Sequence, residues 1–387
     1  MKIFVFSVVS ALMVASWAVQ AAPNYKLTLI DGMNEGKAIN NSGDIIGLGS
    51  LNYGIYSGIG SSALHFSLGG GLKTLGVQVY EPIDNASNYF SVHDINDQGN
   101  ALVTYSGYYN GSGDIEGYAF AYSFIQNVRT DEFVLNVGGS AINNMNNVVG
   151  YRYISGPDIG LIGLRDNFTA PQEDTIHAYV INDQNTVGGY ITVDSNGHPV
   201  STTSPEPIRA PAIWISPSAP TYLNRGGYRD GLVSAINNAG LVVGGVGEHI
   251  FFEPDGRAAS WNGGVLSLLP NGDFDGSFAN SVNSGGAIVG IAENFASNEA
   301  AAVLWLDDEL IDLNQYLSAE LKNAGWSLET ANDINDSGWI VGRAASSQTG
   351  EERAFLLSIS AVPEPASWTF VVAGLGLISV IRRIRHS

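Results

Sequence analysis

A short segment centred on an asparagine recurs seven times along the chain and constrains the fold more than any other feature. Ile precedes the asparagine in six copies and Val in one, and the third residue after it is Gly in five copies and Asn in two. Gly and Asn most readily adopt positive φ, and a β-branched residue suits the buried end of a strand. Each copy therefore predicts a tight hairpin, with a type I turn that starts at the asparagine and continues into a left-handed residue. The seven asparagines are Asn40, Asn96, Asn143, Asn182, Asn237, Asn283 and Asn335.

Two further regularities belong to this repeat. The asparagine side chain can accept hydrogen bonds from the backbone N–H groups of its own turn. The seventh residue after the asparagine is Gly in six copies, and only the second copy departs, with Val103. A glycine at a fixed place in a strand predicts a close approach of two backbones in a packed sheet.

The segments between the turns predict an all-β repeat fold. Most hairpins are followed by two more strand-like runs, which gives a four-stranded meander, although the third copy has no clear fourth strand. The last copy also lacks one, and residues 24–30 can supply it from the N-terminus. Seven units of about 49 residues therefore predict a seven-bladed β-propeller of four-stranded units, closed by the N-terminal strand. An open β-solenoid is the alternative, and 317–324 is the only segment with a helical pattern.

The two ends of the chain have the composition of targeting segments. Residues 1–21 combine a positive charge, a short apolar run and small residues before a cut expected after Ala21, which is typical of a signal peptide. Residues 362–387 contain an apolar run at 366–381 followed by arginines, which the positive-inside rule keeps cytoplasmic. The expected domains are thus the signal peptide, a repeat body at 22–361 and a tail at 362–387 with a short transmembrane segment.

The tail resembles the PEP-CTERM sorting signal of Gram-negative bacteria. The resemblance rests on Pro363-Glu364-Pro365, the single hydrophobic span, and Arg382, Arg383 and Arg385. It implies processing by an exosortase after export through the inner membrane by way of signal peptidase. It also implies a place on the cell surface or in the matrix, linked to exopolysaccharide and biofilm. A plain C-terminal membrane anchor is the alternative.

The body resembles the HAF-repeat family of extracellular proteins, whose units pair an Ile-Asn-x-x-Gly-x-Ile-Val-Gly hairpin with an Ala-Phe-Leu-Trp-like strand. The second element occurs here at 211–214, 258–261, 302–305 and 353–356. The resemblance implies a repeat scaffold in an extracellular place. It implies no reaction.

Composition narrows the classes of partner. The formal net charge is −20 and there is no cysteine. An acidic surface repels nucleic acid and anionic lipid, so nucleic acid is excluded as a partner, whereas cations and neutral or basic glycans are compatible. A fold without cysteine relies on packing and not on disulfides.

One loop resembles a calcium site. Asn271, Asp273 and Asp275 occupy positions 1, 3 and 5, and Gly276 occupies position 6, as in a calcium-binding loop. The bidentate acid at position 12 is missing, because Val282 stands there. A polar connecting loop is the simpler interpretation, and calcium is the leading ligand hypothesis.

Catalytic patterns are weak. The four aspartates of the two Asp-Ile-Asn-Asp turns recur where other copies have Ala and Asn, which favours a structural role. The histidines have no metal-ligand spacing. Tyrosines could stack on sugar rings if they are exposed. The four aspartates are Asp94, Asp97, Asp333 and Asp336, and the tyrosines are Tyr105, Tyr108, Tyr109, Tyr151 and Tyr153.

The sequence therefore predicts a non-catalytic, surface-sorted repeat protein with a structural or glycan-binding role in the exopolysaccharide matrix. A secreted propeller hydrolase or lyase that acts on glycans and a protein-interaction scaffold are the alternatives. Fold alone does not choose among them.

Overall fold

The computed structural model describes most of the repeat body. The described residues are 23–52, 59–75, 86–109, 118–135, 139–153, 159–163, 176–201, 203–216, 219–248, 256–297 and 299–359. Lys26–Ile359 forms one compact unit. The predicted signal peptide, the Pro363-Glu364-Pro365 motif, the apolar run 366–381 and the three tail arginines lie outside the described residues.

Within this part of the chain the protein is built from small antiparallel sheets. The strands, grouped by sheet in chain order after β1 (Tyr25–Ile30), are as follows: sheet 1, β2 (Glu35–Ile39), β3 (Ile45–Asn52), β4 (Ile59–Ser67), β5 (Gly71–Thr74); sheet 2, β6 (Ala86–Ile95), β7 (Asn100–Tyr109), β8 (Tyr118–Asn127), β9 (Phe133–Leu135); sheet 3, β10 (Ala141–Ile142), β11 (Val148–Tyr153), β12 (Ile159–Gly163); sheet 4, β13 (Ile176–Ile181), β14 (Val187–Val193), β15 (Ile208–Ser216), β16 (Ala219–Tyr222); sheet 5, β17 (Asp230–Ile236), β18 (Val242–Gly247), β19 (Arg257–Asn262), β20 (Val265–Leu268); sheet 6, β21 (Gly276–Val282), β22 (Ile288–Asn294), β23 (Glu299–Leu306), β24 (Glu309–Asp312); sheet 7, β25 (Trp326–Ile334), β26 (Ile340–Ser346), β27 (Glu352–Ile359).

The sheets are arranged as a β-propeller. The first strand of each sheet contacts the first strand of the next, in the order β2, β6, β10, β13, β17, β21 and β25, and β25 contacts β2 again. This closed circle of contacts surrounds a central axis. Sheet 7 has the strand order β1-β27-β26-β25, so the N-terminal strand completes it as predicted. Closure of this kind leaves only short outer edges unpaired.

The number of complete blades differs from the prediction. Six sheets have four strands, whereas sheet 3 has three in the part of the chain that the structure describes. The structure thus shows six full blades where seven were predicted. The difference falls on the third copy, whose sequence gave no clear fourth strand.

The seven turns have the geometry that the repeat predicts. The residue three positions after each asparagine has a φ between +61° and +84°, whether it is Gly or Asn. Its N–H donates to the carbonyl of the asparagine at 2.9 to 3.1 Å. The backbone N–H of the asparagine in turn donates to the carbonyl of the residue four positions later, at 3.0 to 3.2 Å. Each hairpin therefore closes with a left-handed residue that only Gly or Asn accommodates at low cost.

The glycine seven residues after the asparagine marks a close approach of two backbones. A Cβ on Gly244 would clash with the carbonyl oxygen of Leu232 on the neighbouring strand. The same clash recurs at Gly47, Gly189, Gly290 and Gly342, always with the carbonyl five residues before the repeat asparagine. These glycines let the first two strands of a sheet pack without side chains between them.

The hydrophobic core lies between neighbouring sheets. Val341 and Leu356 of sheet 7 pack with Ile39 and Ile45 of sheet 1 in one such cluster. A similar cluster joins sheets 4 and 5 around Trp261, whose indole N–H donates to the carbonyl of Asn224 at 2.7 Å. Trp305 repeats this bond with Pro270, also at 2.7 Å. These two tryptophans thus anchor the connections that precede sheets 5 and 6.

The only α-helix in the described residues is α1 (Ala319–Asn323), which follows a 3₁₀ turn at Leu313–Tyr316. It lies in the segment 317–324 predicted to be helical, between sheets 6 and 7. No helix in the described residues is long and apolar enough to span a membrane.

Candidate functional site at the central mouth

The seven repeat turns meet at one end of the central axis and enclose a cavity of about 190 Å³. Each turn contributes the repeat asparagine, the Ile or Val before it and the residue after it. We call this cavity the central mouth. The sequence pattern predicts the asparagines as turn residues but does not indicate that all seven border one cavity.

The asparagines form a closed ring of hydrogen bonds, the Asn ring. The Nδ2 of each asparagine donates to the backbone carbonyl of the next one, at 2.9 to 3.2 Å. The bond from Asn335 to Asn40 joins the last copy to the first and closes the ring. All seven side chains are buried. The Asn ring therefore ties each sheet to the next at the axis.

The other end of each asparagine amide fastens its own turn. Oδ1 of Asn237 accepts from the N–H groups of Ala239 at 3.0 Å and Leu241 at 2.9 Å. The bond from the N–H of the residue four positions later to the asparagine Oδ1 recurs in all seven turns at 2.8 to 3.0 Å. One amide thus satisfies its own turn and the neighbouring one, which explains why no other residue type occupies the position.

The residues that follow the asparagines form a second ring, the rim, which is partly or fully exposed. Amides and carboxylates alternate around it until one position is taken by a serine. In chain order the rim consists of Asn41, Asp97, Asn144, Asp183, Asn238, Ser284 and Asp336.

The alternation holds the rim carboxylates apart. Nδ2 of Asn41 donates to Asp97 at 3.1 Å and to Asp336 at 3.0 Å, so it bridges two carboxylates. Nδ2 of Asn144 bridges Asp97 at 2.9 Å and Asp183 at 3.2 Å in the same way. No two carboxylates are neighbours in the rim. The mouth is therefore negatively charged, rich in hydrogen-bonding groups and unsuited to anions.

A third layer of contacts lies deeper along the axis, where six of the seven first strands carry a β-bulge three residues before the repeat asparagine. At three of these bulges the side chain donates to a backbone carbonyl of the next sheet. Asn332 donates to the carbonyl of Gly36 at 2.8 Å, and Asn280 donates to that of Ala331 at 2.8 Å. The bulge re-aims these side chains from their own sheet toward the neighbouring one.

Asp94 and Asp333 take part in this layer. Asp94 accepts the N–H of Ile142 at 2.9 Å, and Asp333 accepts the N–H of Ile39 at 2.8 Å, in each case from the following sheet. Burial raises the pKa of Asp94 to about 6, against the effect of its backbone hydrogen bonds, and the charge of Asp333 raises it further. Burial also raises the pKa of Asp333. Both carboxyls thus fasten adjacent sheets, as the structural interpretation of the Asp-Ile-Asn-Asp turns expects.

A partly buried ionic cluster joins sheets 1 and 2. Asp44 accepts from Arg129 at 2.8 Å and lies 3.0 Å from Nε2 of His65. The hydrogen bond to His65 and, to a smaller extent, the one to Arg129 hold the pKa of Asp44 below its usual range, although burial acts to raise it. Nδ1 of His65 is buried and meets no hydrogen-bond partner in the described residues. No substrate can reach that nitrogen, so the cluster has the geometry of a structural tie.

The predicted calcium loop is held by contacts of its own. Nδ2 of Asn271 donates to the carbonyl of Phe274 at 2.6 Å, and its Oδ1 accepts from Ser277. Asp275 accepts the N–H of Phe295 at 2.9 Å. Among the described residues no group of three or more acidic, histidine or cysteine side chains is placed to hold a metal. Calcium at Asn271, Asp273 and Asp275 stays a prediction.

Tyr105 is not an exposed aromatic platform. Its ring is buried and packs against Phe90 at a centroid distance of 4.9 Å. The prediction that this tyrosine stacks on sugar rings is wrong, because its side chain lies in the core between sheets 1 and 2. The side chains of Tyr108, Tyr109, Tyr151 and Tyr153 lie outside the described part.

Comparison with known proteins gives distant matches to solved structures only. No family model and no curated protein matches the chain. An acylaminoacyl peptidase from Pyrococcus horikoshii matches with a TM-score of 0.43 at 10% identity, over 89% of this chain and 54% of the peptidase. A family 117 glycoside hydrolase from Zobellia galactanivorans matches with a TM-score of 0.33 at 11% identity, over 89% of this chain and 93% of the hydrolase.

A sialidase from Trypanosoma rangeli matches with a TM-score of 0.34 at 8% identity, over 90% of this chain and 56% of the sialidase. This chain therefore spans about half the length of the peptidase and of the sialidase. Similarities at this level carry no argument about activity. The chain is an all-β protein with a propeller arrangement of small antiparallel sheets, and its candidate site is the central mouth.

Proposed function

We propose that this protein is an exported, non-catalytic β-propeller that binds neutral glycans of the extracellular matrix at its central mouth. The observation that carries the proposal is the rim, in which amide donors and carboxylate acceptors alternate around an open cavity. Sugar hydroxyls both donate and accept hydrogen bonds, so they match such a surface. The seven turns act as one closed, seven-unit ring, whose third unit has three strands in the described residues.

The size of the mouth fits a small polar group. Pockets for drug-sized ligands measure about 300–1,000 Å³. The central mouth, at about 190 Å³, is smaller, so a glycan would insert a single sugar or its edge while the rest of the chain lies over the rim. The negative charge of the rim favours neutral or basic sugars over acidic ones.

The part of the proposal that concerns export rests on the two ends of the sequence. The segment 1–21 resembles a signal peptide, and Pro363-Glu364-Pro365 with its arginine tail resembles a PEP-CTERM signal. Mass spectrometry of the protein from membrane, cell-surface and medium fractions tests this directly. We expect a mature chain that begins at Ala22 and ends near Pro363. A full-length mass, or retention of the tail in the inner membrane, would contradict surface sorting.

A glycan hydrolase or lyase is the competing function, and the raised pKa of Asp94 near Asp333 is the feature that favours it. Both carboxyls hold backbone N–H groups of a neighbouring sheet, so recruiting them for chemistry would loosen that contact. We therefore place binding ahead of catalysis.

One experiment separates these functions. The purified protein is applied to an array of neutral, basic and acidic polysaccharides, and release of reducing sugar is measured on every glycan that binds. We expect binding to neutral or basic glycans without release. The rim variant Asp183→Asn should change binding, whereas Asp307→Asn, an exposed aspartate in the turn between β23 and β24, should not. Release of sugar would establish the hydrolase, and absence of binding would favour a structural or protein-binding role.

A further inference from the structure

The rim contains a single break in its hydrogen bonding. At six of its seven junctions the backbone N–H of a rim residue donates to the side chain of the next, at 2.8 to 3.0 Å. The junction from Asn238 to Ser284 is the exception. In the described part of the chain the N–H of Asn238 meets no protein acceptor, although the preceding junction is intact, since Asp183 donates to Asn238 at 3.0 Å.

The break has a simple chemical cause. A serine hydroxyl lies one bond nearer to the backbone than an aspartate or asparagine oxygen, so Ser284 does not span the distance that the other rim side chains span. Ser284 also lacks a carboxylate for the amide of Asn238. Nδ2 of Asn238 donates to Asp183 at 2.7 Å and bridges no second carboxylate, in contrast to Asn41 and Asn144.

The break therefore gathers unused donors at one point of the mouth. They are the N–H of Asn238, the second hydrogen of its amide and the hydroxyl of Ser284, and both residues of this junction are exposed. Asp336 stands on the other side of Ser284, which donates its N–H to that carboxylate at 2.8 Å. A cluster of donors beside an acceptor is the arrangement that a hydroxyl group satisfies.

We propose that the junction between Asn238 and Ser284 is the subsite that binds a hydroxyl of a neutral sugar. The sugar oxygen accepts from the N–H and Nδ2 of Asn238, which replaces the missing rim acceptor. Its hydrogen donates to Ser284 or to the carboxylate of Asp336. An anion is disfavoured by the three rim carboxylates, and a cation faces donors at this junction. This inference rests on the proposed glycan-binding function and gives it a definite place in the rim.

The substitution Ser284→Asn tests the subsite by repairing the break. The amide oxygen of the new side chain can accept from the N–H of Asn238, as that of Asn144 accepts from Asp97 at 2.8 Å. Its Nδ2 can donate to Asp336. We expect the repaired rim to raise the urea midpoint and to weaken sugar binding by about tenfold, the effect of losing one or two net hydrogen bonds.

The matched control is Ser337→Asn. Ser337 is an exposed serine in the next turn that does not border the central mouth, so the same chemical change should leave sugar binding unaltered. Ser284→Ala is the second variant. It leaves the break open, so it should weaken binding less than Ser284→Asn does, and it keeps the test valid if the asparagine variant folds poorly.

Binding is measured by calorimetry with glucose, galactose and mannose and with dextran, together with hydrogen exchange at residues 236–241. Dextran or a sugar should slow exchange of the Asn238 amide in the wild type, and Ser284→Asn should slow it without ligand. Equal affinity of the wild type and Ser284→Asn would overturn the subsite while glycan binding stands. An equal loss in Ser284→Ala and Ser284→Asn would assign the effect to the hydroxyl and overturn the role of the break. No binding to any of these probes by the wild type would overturn both proposals.

Discussion

The Asn ring predicts a specific cost for removing one of its members. Asn237 makes three hydrogen bonds through its side chain: it donates to the carbonyl of Asn283 at 3.0 Å and accepts from Ala239 and Leu241 at 3.0 and 2.9 Å. Its side chain is buried between sheets 5 and 6. The substitution Asn237→Ala removes all three bonds and leaves the N–H groups of Ala239 and Leu241 without this acceptor, whereas the carbonyl of Asn283 keeps its bond from the N–H of Gly286.

The magnitude follows from the number of bonds. Each net hydrogen bond contributes about 1 kcal/mol, so Asn237→Ala should lower the free energy of unfolding by roughly 3 kcal/mol. A loss of this size is a large fraction of the stability of an ordinary domain, about 5–15 kcal/mol.

The assay is urea unfolding followed by circular dichroism and by tryptophan fluorescence, because Trp261 and Trp305 lie in the two sheets that Asn237 joins. The control is Asn262→Ala, an exposed asparagine at the end of β19, which should change the free energy of unfolding by less than about 0.5 kcal/mol. If Asn237→Ala is no more destabilising than Asn262→Ala, the Asn ring does not hold the sheets together and the reasoning fails.

Three other predictions follow from the same structure. Gly244→Ala should destabilise by several kcal/mol or prevent folding, because its Cβ would meet the carbonyl of Leu232, whereas Gly69→Ala, with open space around it, should fold normally; soluble yield and the urea midpoint check both. Burial raises the pKa of Asp94 to about 6 and so favours the protonated carboxyl in the folded state. The protonated carboxyl therefore contributes fully to the free energy of unfolding below the pKa of the unfolded chain, about 3.9, and this contribution is lost as the pH rises through about 6. Asp94→Asn should flatten the dependence of the urea midpoint on pH between about 4 and 7, and an unchanged slope would reject the assignment. If calcium binds the loop of Asp273, a chelator should lower the melting temperature of the wild type and not that of Asp273→Asn, and no shift in the wild type would reject the site.

The turns and the strand order could be predicted because they depend on local backbone geometry. A residue such as Asn185 or Gly240 at a fixed distance from the repeat asparagine reveals a positive φ without knowledge of the rest of the fold. The place of β1 in sheet 7 was also predictable. The last repeat copy has no fourth strand of its own, and the strand at the N-terminus belongs to no copy, so the two complete each other.

The contacts between copies could not be predicted in this way. The bond from Asn335 to Asn40 joins residues 295 positions apart, and it exists only because the circle of sheets closes. The carboxyl of Asp333 meets the N–H of Ile39 for the same reason. Turn chemistry explains why an asparagine is favoured at these positions, but an isolated turn does not require its Nδ2. The missing information was the closure of the ring, which gives that donor its acceptor.

Once the ring is known, an irregular position in the rim follows from parity. Amides and carboxylates can alternate without fault only around an even number of positions, and the rim has seven. At position 284, alternation requires a carboxylate because Asn238 precedes it, and an amide because Asp336 follows it. One side chain cannot be both. An aspartate there would set two carboxylates side by side, and like charges in contact are costly. Serine avoids that repulsion and leaves the N–H of Asn238 free. An odd ring of this design must therefore have one irregular junction, and the sequence places that junction between sheets 5 and 6, where the proposed subsite lies.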